Sequence, residues 1–414
     1  MAKRLLFVDD EQMVLDGLRR ALHCMRQEWE MTFVETGTAA LAELEREDYD
    51  AVITDMRMPG MDGAQLLEEV KRRQADVVRV VLSGQTSKEA LLRSIDPTHQ
   101  FLSKPCDINE LKLRLSLAFE MRDLLLNPAL KSVVTRMRSI PSLPSLFNEL
   151  TAALRSESAS LSQIESIIAK DPAMAAKTLQ LANSAFIGAR GQVSSLLQAV
   201  SLIGTETIRA LALSVQVFSQ IDHNPTAASE LPPLWDHSVD VALLARHIAR
   251  LHGQSEAMEE QCFTVGLLHD VGKAVLLSEL PREYRYIVDH RDKEPGALLA
   301  LEAQFLGCTH AQIGAYLMSI WGLPAPLVLA VALHHRPAED LNTNFSPLTA
   351  AHCADAVVAL SDPSPLNHDG LLDVAYVERM GLIEQEPLWR LFHEERILAK
   401  GKGESHGRKD IVCR

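Results

Sequence analysis

The sequence predicts an α/β doubly wound parallel sheet followed by an all-α domain. Over about the first 120 residues, short unbroken apolar runs are separated by segments with apolar residues at three- and four-residue spacing. Unbroken runs are typical of strands buried on both faces of a parallel sheet, and the intervening spacing is typical of helices. From Leu146 onward the helical spacing continues with almost no strand signal. The alternation therefore predicts the sheet, and the remainder predicts a domain of packed helices.

Four of the predicted strands end directly before a polar residue. LLFV precedes Asp9, AVIT precedes Asp55, VRVVL precedes Ser83 and QFLS precedes Lys104. The helical patterns between them are MVLDGLRRALHCM, TAALAELERE and AQLLEEVKRR. Because the carboxyl ends of parallel strands share one edge, where ligands bind, we expect these side chains to converge.

The converging residue types suit phosphoryl transfer. Carboxylates at Asp9, Asp10 and Asp55 repel one another, and a hard divalent cation such as Mg²⁺ relieves that repulsion. One carboxylate can then attack phosphorus and form an aspartyl phosphate. The Lys104 ammonium would neutralise the transferring group, and the Ser83 hydroxyl would bind a phosphoryl oxygen. Taken singly, these residues could instead cap a helix, form a turn or lie in solvent.

The motifs VDDE, ITDMRMPGMDG, VVLSG and FLSKP resemble the receiver domain (flavodoxin-like, CheY-like) of bacterial two-component response regulators. The resemblance implies that Asp55 is phosphorylated and that Asp9 and Asp10 are the acidic Mg²⁺-binding pair. It also implies that the backbone carbonyl of Arg57 touches the metal and that Phe101 reports the phosphorylation state. At Ser83 the motif is a variant, with Gly84 where a small residue is common.

Composition limits the other function classes. The chain has 41 Lys+Arg and 55 Asp+Glu, so its formal charge is 41 − 55 = −14, which disfavours a general affinity for nucleic acid or anionic membranes. The first residues do not resemble a signal peptide, and we find no apolar run of the ~20 residues that span a bilayer. The six cysteines show neither CxxC pairs nor disulfide-like spacing. We therefore expect a reduced cytoplasmic protein without membrane insertion.

The predicted domain organisation follows from breaks in these patterns. The α/β domain is predicted over residues 1–122, a helical connector over 123–138, the main helical domain over 139–340 and a helical extension over 341–395. Prolines at 141 and 144 interrupt the helical pattern after the connector. The basic, glycine-rich end of the chain, residues 396–414, is predicted to be disordered.

The helical domain contains a set of histidines and aspartates on or beside predicted helices. They are His237, His269, Asp270, His310, His334, His335 and Asp355. Neutral imidazoles and carboxylates together suit one or two transition metals, with Fe or Mn as candidates. Lys273 would lie one turn from Asp270 and could meet a phosphate. We assign the histidines at 223, 247, 252, 290 and 368 to surface or core packing, and expect one of His334 and His335 to be exposed.

The motifs SIPSLPSLFNEL, IIAKDPAMAAKTLQLANSAFIG, VSSLLQAVSLIGTETIRAL, GLLHDVGKAVL and HAQIGAYLMSIWGLP resemble the HDOD domain, an all-α relative of the HD phosphohydrolases. HDOD domains are mostly regulatory modules without a complete metal site, whereas the related HD-GYP enzymes cleave cyclic di-GMP. The His/Asp set and Lys273 match HD-GYP ligand or phosphate positions in order. Two features depart from HD-GYP enzymes: no DGxGYP stretch follows the HH pair, and Pro233 stands where a Glu often occurs.

Three outputs follow from these resemblances. The first is a response regulator, phosphorylated on Asp55 by a sensor histidine kinase or phosphotransfer protein, that acts through regulated contact with a downstream signalling protein. The second is a phosphorylation-gated metal-dependent phosphodiesterase for cyclic di-GMP or another nucleotide. A DNA-binding output is disfavoured, because the segment that resembles a helix-turn-helix lacks a base-reading face. In both favoured cases the helical segment 110–138 would relay the receiver state, and dimerisation is left open.

Overall fold

A computed structural model describes residues 2–74, 76–83, 98–104, 106–125, 127–137, 141–142, 144–155, 160–183, 192–204, 208, 225–290, 297–362, 364–367 and 369–409. Its N-terminal part is a five-stranded parallel sheet. The strands are β1 (Lys3–Val8), β2 (Trp29–Val34), β3 (Ala51–Asp55), β4 (Val78–Ser83) and β5 (Gln100–Ser103).

The strand order is β2-β1-β3-β4-β5, so the direction of winding reverses between β1 and β3. Ligands of open α/β sheets bind at the carboxyl ends of the strands beside such a reversal. Here the two central strands are β1, which precedes Asp9, and β3, which ends at Asp55. The predicted doubly wound sheet is confirmed, and its topology places the two acids side by side.

Capping residues set where the helices of this domain begin. The helices are α1 (Gln12–Ala21), α2 (Gly37–Leu44), α3 (Gly63–Arg73) and α4 (Ile108–Leu124). Asp62 and Gln65 form a reciprocal capping box at the start of α3. The Asp107 side chain accepts from the first backbone N–H groups of α4.

The segment 110–138, expected to relay the receiver state, consists of two helices. Helix α4 ends at Leu124, and its C-cap Leu125 has an extended backbone with φ −83° and ψ 107°. Helix α5 (Pro128–Arg136) begins at a proline. Proline lacks an N–H and disfavours helical conformation in the residue before it, so the helix stops and restarts in a new direction.

The remaining described residues are almost entirely helical, as predicted. The helices are α6 (Pro144–Arg155), α7 (Leu161–Ile168), α8 (Pro172–Ala182), α9 (Leu196–Ile203), α10 (Pro225–Leu251), α11 (Glu256–Leu268), α12 (Val271–Glu279), α13 (Pro281–His290), α14 (Ala297–Leu306), α15 (His310–Ile320), α16 (Ala325–Leu333), α17 (Pro347–Ala359), α18 (Val374–Arg379) and α19 (Glu386–Lys409). None of the helices in the described part of the chain is long and apolar enough to span a bilayer.

Helix α19 extends into the segment that the sequence predicts to be disordered. The structure is helical as far as Lys409, whereas disorder was predicted from residue 396. Buried Trp389 fixes the start of this helix, and Arg396 Nη2 donates to Asp240 Oδ1 at 2.8 Å. Once the first turns are fixed by packing, each further residue extends a helix at little cost.

The two domains pack directly on each other through helix α15. Helices α4 and α5 both contact α15, and buried apolar side chains of both domains belong to one cluster. Hydrogen bonds between described residues cross the contact: Gln100 Nε2 donates to Ser319 O at 2.9 Å, Gln180 Nε2 donates to His99 O at 3.2 Å, and the hydroxyls of Thr135 and Tyr316 lie 2.7 Å apart. The edge strand β5 is therefore covered by the helical domain.

His99 lies inside this contact as a neutral imidazole. Its Nδ1 accepts from the backbone N–H of Arg79 at 3.2 Å, and its Nε2 lies 2.9 Å from Thr135 O and 2.7 Å from Arg79 Nη2. The residue is 3% exposed. Burial, together with the nearby Arg79 guanidinium, holds the pKa of His99 well below its usual value.

This buried imidazole predicts a loss of stability in mild acid. Because the folded-state pKa of His99 is lowered, the unfolded chain binds a proton below pH ~6.5 that the folded chain does not. Between pH 7 and pH 5 this should cost about 2 kcal/mol of unfolding free energy. Between pH 7 and pH 5, His99→Gln should therefore lose about this much less unfolding free energy than wild type, because the variant lacks the group that titrates. Urea denaturation at the two pH values measures the difference.

The matched control is His290→Gln, which alters an exposed histidine of α13. It should keep the wild-type pH dependence. An identical pH dependence in wild type and His99→Gln would show that His99 is not a buried neutral group.

Candidate functional site

The predicted acidic site of the sheet is assembled in the structure. Asp9 and Asp55 are 1% and 7% exposed, and Lys104 Nζ lies 2.7 Å from Asp9 Oδ2 and also contacts Asp55 Oδ1. The second oxygen of Asp55 accepts from the backbone N–H of Arg57 at 2.6 Å. Burial lowers the pKa of Lys104, but its hydrogen bonds to Asp55 and Asp9 outweigh burial and raise it. The ammonium therefore stays charged beside the proposed acceptor.

A glycine allows the loop after β3 to return over this site. An ideal Cβ at Gly63 would lie 2.2 Å from Asp55 O, so a side chain there would displace the loop. The Gly63 N–H donates to Met56 O at 3.0 Å, which closes the loop beneath the carboxylate. The close approach of Gly63 to Asp55 O and the hydrogen bond from Gly63 to Met56 together fix the backbone at the end of β3.

The other predicted residues of the acidic site take different positions. Asp10 is exposed directly after Asp9, and Phe101 is buried in β5 at 7% exposure. The side chain of Ser83 and all of Gly84 lie outside the described residues. The donor set of hard carboxylate oxygens fits Mg²⁺. The roles of Asp9, Asp10 and the Arg57 carbonyl as ligands stay predictions.

The His/Asp set of the helical domain is brought together by five elements. His237 lies in α10, His269 and Asp270 at the junction of α11 and α12, His310 at the start of α15, His334 and His335 after α16, and Asp355 in α17. These side chains form two adjacent groups. Group A is His237, His269 and Asp355, and group B is Asp270, His310, His334 and His335, with the potential ligand atoms of each group within 4.8 Å of one another.

Asp270 joins the two groups. Its Oδ2 lies 3.3 Å from His269 Nε2 of group A, and its Oδ1 lies 3.2 Å from His310 Nε2 of group B. Asp355 Oδ1 lies 3.2 Å from His237 Nε2. One carboxylate placed between two clusters of imidazoles can bridge two cations.

Hydrogen bonds outside the cluster turn the Nε2 atoms of four imidazoles into it. His269 Nδ1 donates to Gly266 O and His334 Nδ1 to Val331 O, both at 2.7 Å. His237 Nδ1 lies 3.0 Å from Asp362 Oδ2, and His310 Nδ1 lies 2.8 Å from Glu302 Oε2. Such outer partners fix the tautomer and orientation of metal-ligating histidines.

Several inward-facing atoms have no hydrogen-bond partner among the described residues although they are buried. They are His269 Nε2, Asp270 Oδ1, His334 Nε2 and Asp369 Oδ2, which have imidazole or carboxylate atoms at 3.2 to 3.8 Å but no hydrogen bond of good alignment. Buried polar atoms are normally hydrogen-bonded, so a cluster of unsatisfied imidazole and carboxylate atoms is typical of a cation site. The mixed imidazole and carboxylate set fits a transition metal.

The electrostatics of the cluster favour a cation. Burial alone would lower the pKa of His237, but its hydrogen bonds to Asp355 and Asp362 raise it to about 10. Burial would likewise lower the pKa of His310, but nearby Glu302 raises it to about 10. A proton on Nε2 is the charge that a bound cation would replace. Burial and the neighbouring His335 lower the pKa of His334 well below its usual value.

Lys273 is engaged by carboxylates and a carbonyl. Its Nζ lies 2.8 Å from Asp270 Oδ2, from Asp369 Oδ1 and from Leu366 O. Burial would raise the pKa of Asp270, but His269 and Lys273 hold it well below its usual range. An ammonium has three protons, and all three are used here. The role of Lys273 as a phosphate contact stays a prediction.

One expectation about the cluster is wrong, and three residues of the cluster were not predicted. His334 and His335 are both inside, with the His335 side chain 5% exposed, because the chain turns at the end of α16 and directs both rings toward group B. The sequence analysis also missed Asp369, and the outer partners Glu302 and Asp362. Glu302 reads as an ordinary polar helix position, whereas the turn signal Asp369-Gly370 was available in the sequence.

Two protein-family models match parts of the chain. The response regulator receiver domain model matches residues 5–116, and the HDOD domain model matches residues 140–337. An uncharacterised protein of Treponema pallidum (strain Nichols) is 28% identical over 49% of this chain and 39% of its own length. Response regulator MprA of Mycobacterium leprae is 27% identical over 33% of this chain and 66% of its own length.

Two further matches come from another curated protein and a solved structure. Hydrogenase transcriptional regulatory protein HoxA of Cupriavidus necator is 35% identical over 24% of this chain, a match that spans 20% of that relative. The crystal structure of the MmoQ response regulator from Methylococcus capsulatus str. Bath is 27% identical, with a TM-score of 0.44, covering 58% of this chain and 98% of that one. The chain thus spans less than half of the length of the T. pallidum and C. necator relatives.

The buried ion group around Lys273 predicts a large stability effect. In Lys273→Met the carboxylates of Asp270 and Asp369 lose their cation, and removal of one partner from a buried ion pair costs about 3–5 kcal/mol. Thermal unfolding of chelator-treated protein should show this loss, and added divalent metal should restore more stability to the variant than to the wild type.

The matched control is Lys170→Met, because Lys170 pairs with Glu149 at the surface with half of its side chain exposed. That change should stay within about 0.5 kcal/mol of wild type. Equal effects of the two substitutions would mean that the buried ion group does not stabilise the fold.

Proposed function

We propose that this chain, which carries an N-terminal receiver domain and a C-terminal HDOD domain, acts as a two-component response regulator in which phosphorylation of Asp55 controls the HDOD domain through helix α15. Receiver domains are phosphorylated by histidine kinases or phosphotransfer proteins, and they generally bind Mg²⁺. The proposed acceptor is Asp55, with Asp9 and Asp10 as metal ligands and Lys104 as the charge-neutralising group.

The observation that carries this proposal is that one strand serves both the phosphorylation site and the domain contact. Strand β5 leads into Lys104, whose ammonium contacts Asp55, and it begins at Gln100, which donates to Ser319 O of α15. The separation is four residues, or about 13 Å along a strand. A phosphoryl group on Asp55 would compete for Lys104 and so bias the position of β5.

Helix α15 would transmit this bias within the HDOD domain. Its last residues, with Trp321 at the C-cap, lie against the receiver, and its first residue, His310, belongs to group B. The helix spans eleven residues, so the two ends are about 15 Å apart. A shift of α15 alters the HDOD surface as a two-state element, and we propose that a downstream signalling protein reads this change.

A fluorescence experiment tests the relay. Acetyl phosphate with Mg²⁺ should change the emission of Trp321, which is 2% exposed and has Lys177 Nζ 5.7 Å above its ring. The change should be absent in Asp55→Asn and in Trp321→Phe, and present in the control Asp16→Asn, which alters a carboxylate of α1 that is 43% exposed and far from Asp55 in the sequence.

A second readout concerns the output. Proteins retained by the phosphorylated wild type should be lost from Asp55→Asn. An unchanged emission together with an unchanged set of retained proteins, after phosphorylation of Asp55 has been verified by mass spectrometry, would contradict the relay.

The second candidate function is a phosphorylation-gated metal-dependent phosphodiesterase for a cyclic dinucleotide or another nucleotide. Four imidazoles turn their Nε2 atoms into two adjacent buried groups that also contain the carboxylates of Asp270 and Asp355, and this observation favours it. A transition metal held there would lower the pKa of a bound water and neutralise phosphate charge. The departures from HD-GYP enzymes, Pro233 and the missing DGxGYP stretch, weigh against turnover.

Metal analysis separates this candidate from a purely interacting output. Protein purified anaerobically should hold Fe or Mn at near-stoichiometric amounts, and His269→Ala should lose both metal and any nucleotide hydrolysis. The control His290→Ala, at an exposed site in α13, should retain both. Protein without transition metal that hydrolyses no nucleotide would remove the enzymatic candidate.

A further inference from the structure

Described residues between α17 and α18 bring side chains to both groups of the His/Asp cluster. Asp362 binds His237 Nδ1 of group A, and Asp369 contacts Lys273 and faces group B. Asn367 Nδ2 donates to Asp362 Oδ2 at 3.0 Å, which links the two ends of the segment. An ideal Cβ at Gly370 would lie 2.8 Å from Asp355 O, so only glycine permits this close approach to α17.

The two oxygens of Asp369 have different surroundings. Oδ1 accepts from Lys273 Nζ at 2.8 Å. Oδ2 lies 3.4 Å from His335 Nε2 and 3.6 Å from His310 Nε2, and it is among the buried atoms without a hydrogen-bond partner in the described residues. The residue is 2% exposed. An unsatisfied, buried carboxylate oxygen thus points at the imidazole nitrogens of group B.

This carboxylate stands where an anionic ligand of group B would have to lie. A phosphate bound there would place one oxygen on a metal and another on the Lys273 ammonium. Asp369 already makes this pair of contacts, with Oδ2 toward the imidazoles and Oδ1 on Lys273. The remaining two protons of Lys273 go to Asp270 and Leu366 O. A phosphate can therefore reach this position only if Asp369 leaves.

We propose that Asp369 is a further metal ligand of group B and that, in this conformation, it excludes phosphate from the Lys273 side of the metal. The inference rests on the metal site proposed above and adds a fifth ligand to Asp270, His310, His334 and His335. It makes the cluster a site that binds metal without exposing it to phosphate. Asp369 then controls access, since its displacement would free both the metal position and Lys273.

The competing explanation is that Asp369 serves only as a counterion for buried Lys273. A counterion needs one oxygen on the ammonium, and Oδ1 provides that contact. For Oδ2, the counterion explanation invokes the protonated imidazole of His310 at 3.6 Å, whereas the metal explanation invokes a cation shared with His310 and His335. The two explanations differ in whether metal affinity depends on Asp369, which is measurable.

The test uses Co²⁺ and inorganic phosphate as probes of the full-length chain. Wild type should bind Co²⁺ with a visible absorption spectrum that phosphate leaves unchanged. Asp369→Ala should bind the Co²⁺ of group B on the order of tenfold or more weakly, by analogy with the loss of an ordering partner, and its spectrum should respond to phosphate. Asp369→Asn keeps the side-chain size and should change in the same direction, which guards against misfolding of the alanine variant.

Asp373→Asn is the matched control, because Asp373 belongs to the same segment but caps α18 by accepting from Tyr376 N–H. It should bind Co²⁺ like wild type and remain insensitive to phosphate. Wild-type Co²⁺ affinity in both Asp369 variants, or a phosphate response already present in wild type, would overturn the role of Asp369 while leaving the metal site intact. Absence of Co²⁺ binding in every variant, wild type included, would remove the metal site itself and this inference with it.

Discussion

The close packing of helix α15 on its neighbours is the constraint on which the rest of the structure depends. An ideal Cβ at Gly272 of α12 would lie 1.9 Å from His310 O, and one at Gly314 of α15 would lie 3.2 Å from Gly272 N. The two backbones therefore touch where α12 carries Asp270 and α15 carries His310. Because packed interiors rearrange between discrete states and do not deform continuously, we expect a shift of α15 at the receiver to alter the cluster as well.

The buried charges of the cluster explain why its free energy would change when α15 shifts. Asp270, Asp355 and Asp369 are buried, with Lys273 as the ammonium that contacts two of them. Buried carboxylates are tolerated only when paired or coordinated, so the position of each side chain matters for the free energy of the whole group. By linkage, a cation bound at the cluster would change the equilibrium of the receiver as much as the receiver changes cation binding.

The receiver and most residues of the His/Asp cluster could be predicted from the sequence for a physical reason. Asp9, Asp55 and Lys104 stand at strand ends, and the geometry of a parallel sheet determines where such ends meet. The residues that it missed owe their positions to packing: Asp369 and Asp362 lie in an irregular segment, and Glu302 is a polar residue on a helix with no local sign of burial. The contact of β5 with α15 could not be predicted from the sequence either. Gln100 donates to the backbone carbonyl of residue 319, and every residue has a backbone carbonyl whatever its side chain. The helix that continues to Lys409 depends on the burial of Trp389, which composition alone does not reveal.

Hydrogen exchange of α15 tests most directly whether the phosphorylation site and the His/Asp cluster are coupled. Full-length protein would be compared with and without beryllofluoride, an analogue of the phosphoryl group, in the presence of Mg²⁺. The account predicts altered exchange in β5, along α15 and at the end of α16 around His334, and no such change in Asp55→Asn. Altered exchange confined to residues before 125, with α15 and α16 unaffected, would contradict it.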